Sequence, residues 1–146
     1  MARIDQAAAE NLLSRSRALL PPSDALWSPV TQQLAEVCLV LGRFADAQRL
    51  LDERREAARA VGDRATELAA RLERTRIQFI IGPDPVPLDE VLQVAEEARA
   101  EFAASGNEAG VGRASFLRGC VELRRGAINA AEHDLRESLE YADAAA

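Results

Sequence analysis

The chain has 146 residues, 24 Asp and Glu against 18 Arg with no Lys, and a formal charge of −6. That length is one domain's worth, and the acidic balance excludes a general nucleic-acid binder, which needs a net basic surface. Ala fills 29 positions while aromatics make up 4%. Strong helix formers are therefore abundant and strand-favouring residues scarce, which excludes a sheet-rich fold.

In chain order, Met1-Ala2-Arg3-Ile4-Asp5 leads into an Ala-rich polar stretch with no apolar h-region, so no secretory signal is expected. No run approaches the roughly 18 apolar residues of a membrane span, and a cytoplasmic protein is expected. Gly and Pro then punctuate the chain at Pro21-Pro22, Ser28-Pro29, Gly42, Gly62-Asp63, Gly82 to Pro87, Gly106-Asn107 and Gly126, leaving seven segments of helix length. The first, Ala7 to Leu20, reads as an N-terminal helix. Trp27 falls in the next loop, where it plugs the first hairpin, and Ser28 is expected to cap a helix with Pro29 at its first position. In the third segment Phe44, Ala47, Leu51, Ala58 and Val61 form an apolar stripe that Arg54 interrupts. Gly62 suits the left-handed residue after a helix and Asp63 the cap of the next, a device that Gly106-Asn107 repeats. Leu88, Val91, Leu92, Ala95, Ala98 and Phe102 step by three and four, as do Ile128, Ala131, Leu135, Leu139 and Ala142. Gly110 and Gly112 predict a loosely formed helix start, because Gly costs about 1 kcal/mol relative to Ala in a helix. The fold class expected is all-α.

The segment from Gly42 to Leu51 aligns with that from Gly126 to Leu135, 84 residues later, with Leu88 to Ala95 as a middle copy. A period of about 40 to 44 residues with two helices per unit signals stacked helical hairpins. Gly42, Phe44, Ala47 and Leu51, and again Gly126, Ile128, Ala131 and Leu135, resemble the second half of a tetratricopeptide repeat, with Ala35 and Gly119 at the family's small first-helix position. The phrases Gly42-Arg43-Phe44 and Val94 to Ala98 look most like the long-repeat arrays of large bacterial ATPase-linked transcriptional regulators and multidomain adenylate or guanylate cyclases. Arg54 and Ser138 depart from the family, standing where a small apolar residue is usual, and Cys38 and Glu122 stand where it often has Tyr. The resemblance implies a superhelix of stacked antiparallel hairpins with about seven helices in one domain. Residues 1–28 are its N-terminal helix and loop, followed by repeats at 29–62, 63–105 and 106–146.

Catalytic constellations are not apparent. His133 is the only histidine and reads as a solvated surface residue. No ligand spacing marks a metal site, no Ser has an identifiable base, and Gly110-Val111-Gly112 lacks the third Gly and preceding strand of a dinucleotide fingerprint. Cys38 and Cys120 read as reduced thiols within apolar helical segments. No enzyme, cofactor or metal is expected.

The Arg residues carry two readings. One is solvated helix faces pairing with Glu67, Glu73 and Glu122. The other follows from the resemblance, which places Gln32, Glu36 and Val40, then Arg76, Phe79 and Ile80, then Phe116, Cys120 and Arg124 along a concave groove. Phe79 and Phe116 between Arg76 and Arg124 would suit a peptide, since aromatic and Arg side chains dominate hot spots; a core role for both Phe is equally open. The function implied is a non-catalytic module of a bacterial signalling or regulatory system that binds a peptide or partner domain, the alternative being a small-molecule sensor. Ile128, Leu135 and Leu139 lie on a last helix with nothing to cover it. That points to a longer parent chain or to a homodimer through the C-terminal helix.

Overall fold

A computed structural model describes residues 6–82 and 84–144, with the side chains of 143 and 144 left out. Residues 1–5, Pro83 and the last two residues, on which the leader and part of the loop and tail readings fall, lie outside the described residues. Among the described residues seven helices follow one another: α1 (Gln6–Leu19), α2 (Trp27–Val40), α3 (Phe44–Val61), α4 (Arg64–Ile81), α5 (Leu88–Ala104), α6 (Glu108–Arg125) and α7 (Ile128–Ala144). There is no strand among the described residues. The chain divides into two compact units, one ending at Ala70 and the other starting at Arg71, and α4 runs through the division. In the first unit α1 packs on α2 and α2 on α3; in the second α5 packs on α6 and α6 on α7. Among the described residues no helix is long and apolar enough to cross a membrane.

The helix ends are built by local chemistry. Gly62 closes α3 with φ of 74°, the left-handed region only glycine adopts freely. The next residue, Asp63, accepts a hydrogen bond from the Thr66 N–H at 3.0 Å. Asn107 accepts in the same way from Gly110 N–H at 2.9 Å, after Gly106 with φ of 70°. At α2 the expected cap is not used. The helix already starts at Trp27, which is buried, and Ser28 instead accepts a hydrogen bond from Arg54 Nε at 2.9 Å. Arg54 also reaches Gln32 at 3.0 Å, so a polar bridge from α3 to α2 stands where the repeat pattern wants a small residue.

The core follows the small residues. Ala35, Ala47, Ala95, Ala98 and Ala131 are all buried, and at such positions neighbouring backbones can approach closely. Two expected stripe members of α3 are corrected: Phe44 and Val61 are exposed, being its first and last residues, and Leu50 is buried instead. The start of α6 is likewise no loose end. Gly110 and Gly112 lie buried in regular helix, and a Cβ at Gly112 would stand 2.9 Å from Tyr141 Cβ on α7. The missing side chains let α5 and α7 approach α6, which offsets the propensity cost.

Adding 84 to a residue number carries α1, α2 and α3 onto α5, α6 and α7, and the repetition extends to polar contacts. In the first unit Glu53 of α3 pairs with Arg17 of α1, and Arg17 donates to Thr31 of α2 at 3.0 Å. In the second unit Glu137 of α7 takes Arg99 of α5 at 2.6 Å and Ser115 of α6 at 2.6 Å. Glu53 matches Glu137 and Thr31 matches Ser115, so each trio of helices is tied at a carboxylate, an arginine and a buried hydroxyl. One pair changes chemistry: buried Leu34 and Leu50 become Arg118 and Asp134, an ion pair at 3.5 Å.

Candidate ligand-binding cleft

The second unit holds an open cleft of about 310 Å³. Its walls come from Ala109, Gly112 and Phe116 of α6 and from Ser138, Tyr141 and Ala142 of α7, with Glu73 and Arg76 of α4 and Arg113 of α6 supplying charge. Ala109, Gly112, Arg113 and Phe116 step by three, one and three, the spacing that sets residues on one helical face. Gly112 is what lets Tyr141 seat against α6. Phe116 is 39% exposed, so an aromatic surface is open to whatever enters.

The arginines divide by what they already contact. Arg76 is held by Glu73 on its own helix at 2.9 Å. Arg124 lies over the ring of Phe79, its guanidinium carbon 4.1 Å from the centroid, a cation–π contact that covers the aromatic face. Arg71 pairs with Glu97 at 2.8 Å, Arg74 meets Gln78 at 3.3 Å, and Arg125 pairs with Asp89. Arg113 is exposed and, among the described residues, has no carboxylate, amide or ring partner.

The expected groove residues are thus partly brought together. Arg76 and Phe116 line the cleft. Phe79 is buried, taking the core alternative, and Arg124 is engaged with it rather than free for an acidic group. Cys120 is close enough to Arg76 and Arg124 to feel both, yet burial pushes its thiol up from the ordinary range. Gln32 and Glu36 belong to the first unit, where Gln32 donates to Glu36 at 2.8 Å and accepts from Arg54; neither lines the cleft. Residue reasoning missed Arg113 and Tyr141. The sequence offered no signal for either, since Arg113 is one of several arginines on α6 and the gap at Gly112 that seats Tyr141 is set by packing.

Chemically the cleft can hold an apolar group and pair an anion. Its charged residues show no nucleophile and base in contact. No group of three His, Cys, Asp or Glu that could hold a metal occurs among the described residues, and His133 is exposed. Both cysteines are free.

Comparison with family models, with curated proteins and with solved structures finds no match to this chain.

Proposed function

We propose that this chain is a non-catalytic interaction module of the tetratricopeptide type, serving a bacterial regulatory system and taking a segment of a partner protein in the cleft of its second unit. One observation carries the reading: an aromatic-walled cleft whose mouth holds an arginine with no partner of its own. Interfaces concentrate their energy in such aromatic and Arg anchors, and a helix or extended segment laid across α6 and α7 would bury Phe116 and meet Arg113. The repeated caps and the 84-residue repetition support the repeat character. An acidic partner fits best, since two arginines against one glutamate give the described lining a charge of +1 on a chain of −6.

Selection of a random 12-residue peptide library on the immobilised protein tests the proposal. Enrichment of peptides with a bulky apolar residue and flanking carboxylates is expected. Their affinity should fall on the order of a hundredfold with Phe116→Asp and roughly fivefold with Arg113→Glu. A library with no enriched peptide, or enriched peptides indifferent to Phe116→Asp, would overturn it. The volume favours one second reading, a small-molecule sensor, because about 300 Å³ is also the lower range for small-ligand pockets. A metabolite that raises Tm by several degrees in wild type but not in Phe116→Asp would decide for it.

A further inference from the structure

A second groove lies in the first unit, between α1 and α2. It encloses about 340 Å³ and is lined chiefly by Ala9, Leu13, Gln33, Glu36, Val37 and Val40. Val40 is 64% exposed, and Glu36 meets only the Gln32 amide, with no cation beside it among the described residues.

The internal repetition shows what such a groove accepts. Its counterpart in the second unit runs between α5 and α6, where Leu117 and Val121 stand at the positions of Gln33 and Val37 and are completely buried. That counterpart is contacted by a third helix. Side chains of α4 reach both of its edges: Arg71 pairs with Glu97 on α5 at 2.8 Å, and Phe79 lies under Arg124 on α6. Arg124 is the counterpart of Val40, and Glu97 that of Leu13. In the second unit an amphipathic helix thus lays a basic side chain and a buried aromatic against the two edges of the space that stands open in the first.

We propose that the α1–α2 groove docks an amphipathic helix of the α4 kind, presented by a partner protein, with a bulky apolar residue against Val37 and Val40 and a Lys or Arg against Glu36. An apolar face laid into a hydrophobic groove is a recurrent recognition mode, and the single carboxylate of the lining selects a basic helix over an acidic one. The site shares no lining residue with the cleft of the second unit.

The probe is a labelled, end-blocked synthetic peptide of α4, Arg64–Ile81, titrated into the intact protein and read by fluorescence anisotropy. Saturable binding is expected. It should weaken on the order of a hundredfold with Val40→Asp and roughly fivefold to tenfold with Glu36→Arg, and stay unchanged with Phe116→Asp. A peptide carrying Arg71→Glu, Arg74→Glu and Arg76→Glu should not bind. All three protein variants change exposed residues, and far-UV circular dichroism checks that they fold. Absence of saturable binding, or binding that ignores Val40→Asp, overturns the proposal. Dimerisation of the free protein that Val40→Asp abolishes would assign the groove to a second copy and overturn the assignment to a partner.

Discussion

Asp134 shows how one substitution pair changes the physics of a repeat. Its side chain is almost wholly buried, its Oδ2 has no partner, and Arg118 is at 3.5 Å with its own Nε unpaired. Burial raises the carboxyl above its ordinary value, and Arg118 pulls it back only in part. The sign follows. A carboxyl raised in the folded state contributes stability below its unfolded pKa, and loses it as pH rises through the folded one. Glu137 is lowered, chiefly by its hydrogen bonds from Arg99, so its contribution is present at neutral pH and is lost as pH falls below the ordinary carboxylate range. Mild acidification therefore relieves Asp134 before stronger acid removes Glu137. Since a buried ion pair is often matched or exceeded by apolar residues of similar volume, Arg118→Leu with Asp134→Leu, the chemistry of Leu34 and Leu50, should be neutral or stabilising by about 1–3 kcal/mol. Arg118→Leu alone should cost about 3 kcal/mol by stranding a buried carboxylate, a deficit that shrinks as pH falls from neutral toward the ordinary carboxylate range and the raised carboxyl takes up its proton. Urea unfolding across that pH range measures both. A single variant as stable as the double would show that Asp134 is not desolvated.

At the level of elements, α1 and its counterpart α5 differ in what holds them. α5 buries Val91, Val94, Ala95, Ala98 and Phe102, whereas α1 has no buried residue. α1 is tied instead by Arg17, which pairs with Glu53, donates to Thr31 and lies over the Trp27 ring at 5.0 Å, and by Glu10, which pairs with Arg43. Partly exposed pairs contribute tenths of a kcal/mol to about 1 kcal/mol each, and salt screens them. Local opening of α1 should therefore be the least costly in the first unit. Arg17→Ala should accelerate amide exchange across Gln6–Leu19 about tenfold, corresponding to roughly 1–2 kcal/mol, while leaving α2 and α3 protected. In wild type, 1 M NaCl should move exchange in the same direction. Equal acceleration in all three helices would mean that α1 is not held locally.

Elements of this kind are also where the amino-acid sequence was most readable. Seven helices, their punctuation by glycine and asparagine, and the 84-residue repetition follow from spacing and propensity, which are local. What was not readable depends on partners far along the chain. Nothing near Arg124 announces that Phe79 will occupy it, or near Gly112 that Tyr141 needs the space. At the start of α6 the propensity cost of two glycines is local, whereas the packing of Phe102 and Tyr141 that offsets it is not. The Ser28 cap failed for the same reason, because Arg54, 26 residues away, claims the hydroxyl.

For the molecule as a whole, charge is distributed against the net figure. The chain carries −6, yet the two clefts described above differ in sign: two arginines and one glutamate line that of the second unit, and a single glutamate that of the first. No residue lines both, and each lies inside one compact unit. A ligand shifts affinity elsewhere only through a differential contact or an element both sites bias, and neither cleft shares a side chain with the other. Two partners of opposite charge should consequently bind without coupling. Arg113→Glu should weaken an acidic peptide selected on the second-unit cleft and leave the α4 peptide within about twofold; Glu36→Arg should do the reverse. Calorimetric titration of one peptide into protein saturated with the other measures the coupling directly. A change in affinity of tenfold, about 1.4 kcal/mol, would show that the two units communicate and that binding at one cleft regulates the other.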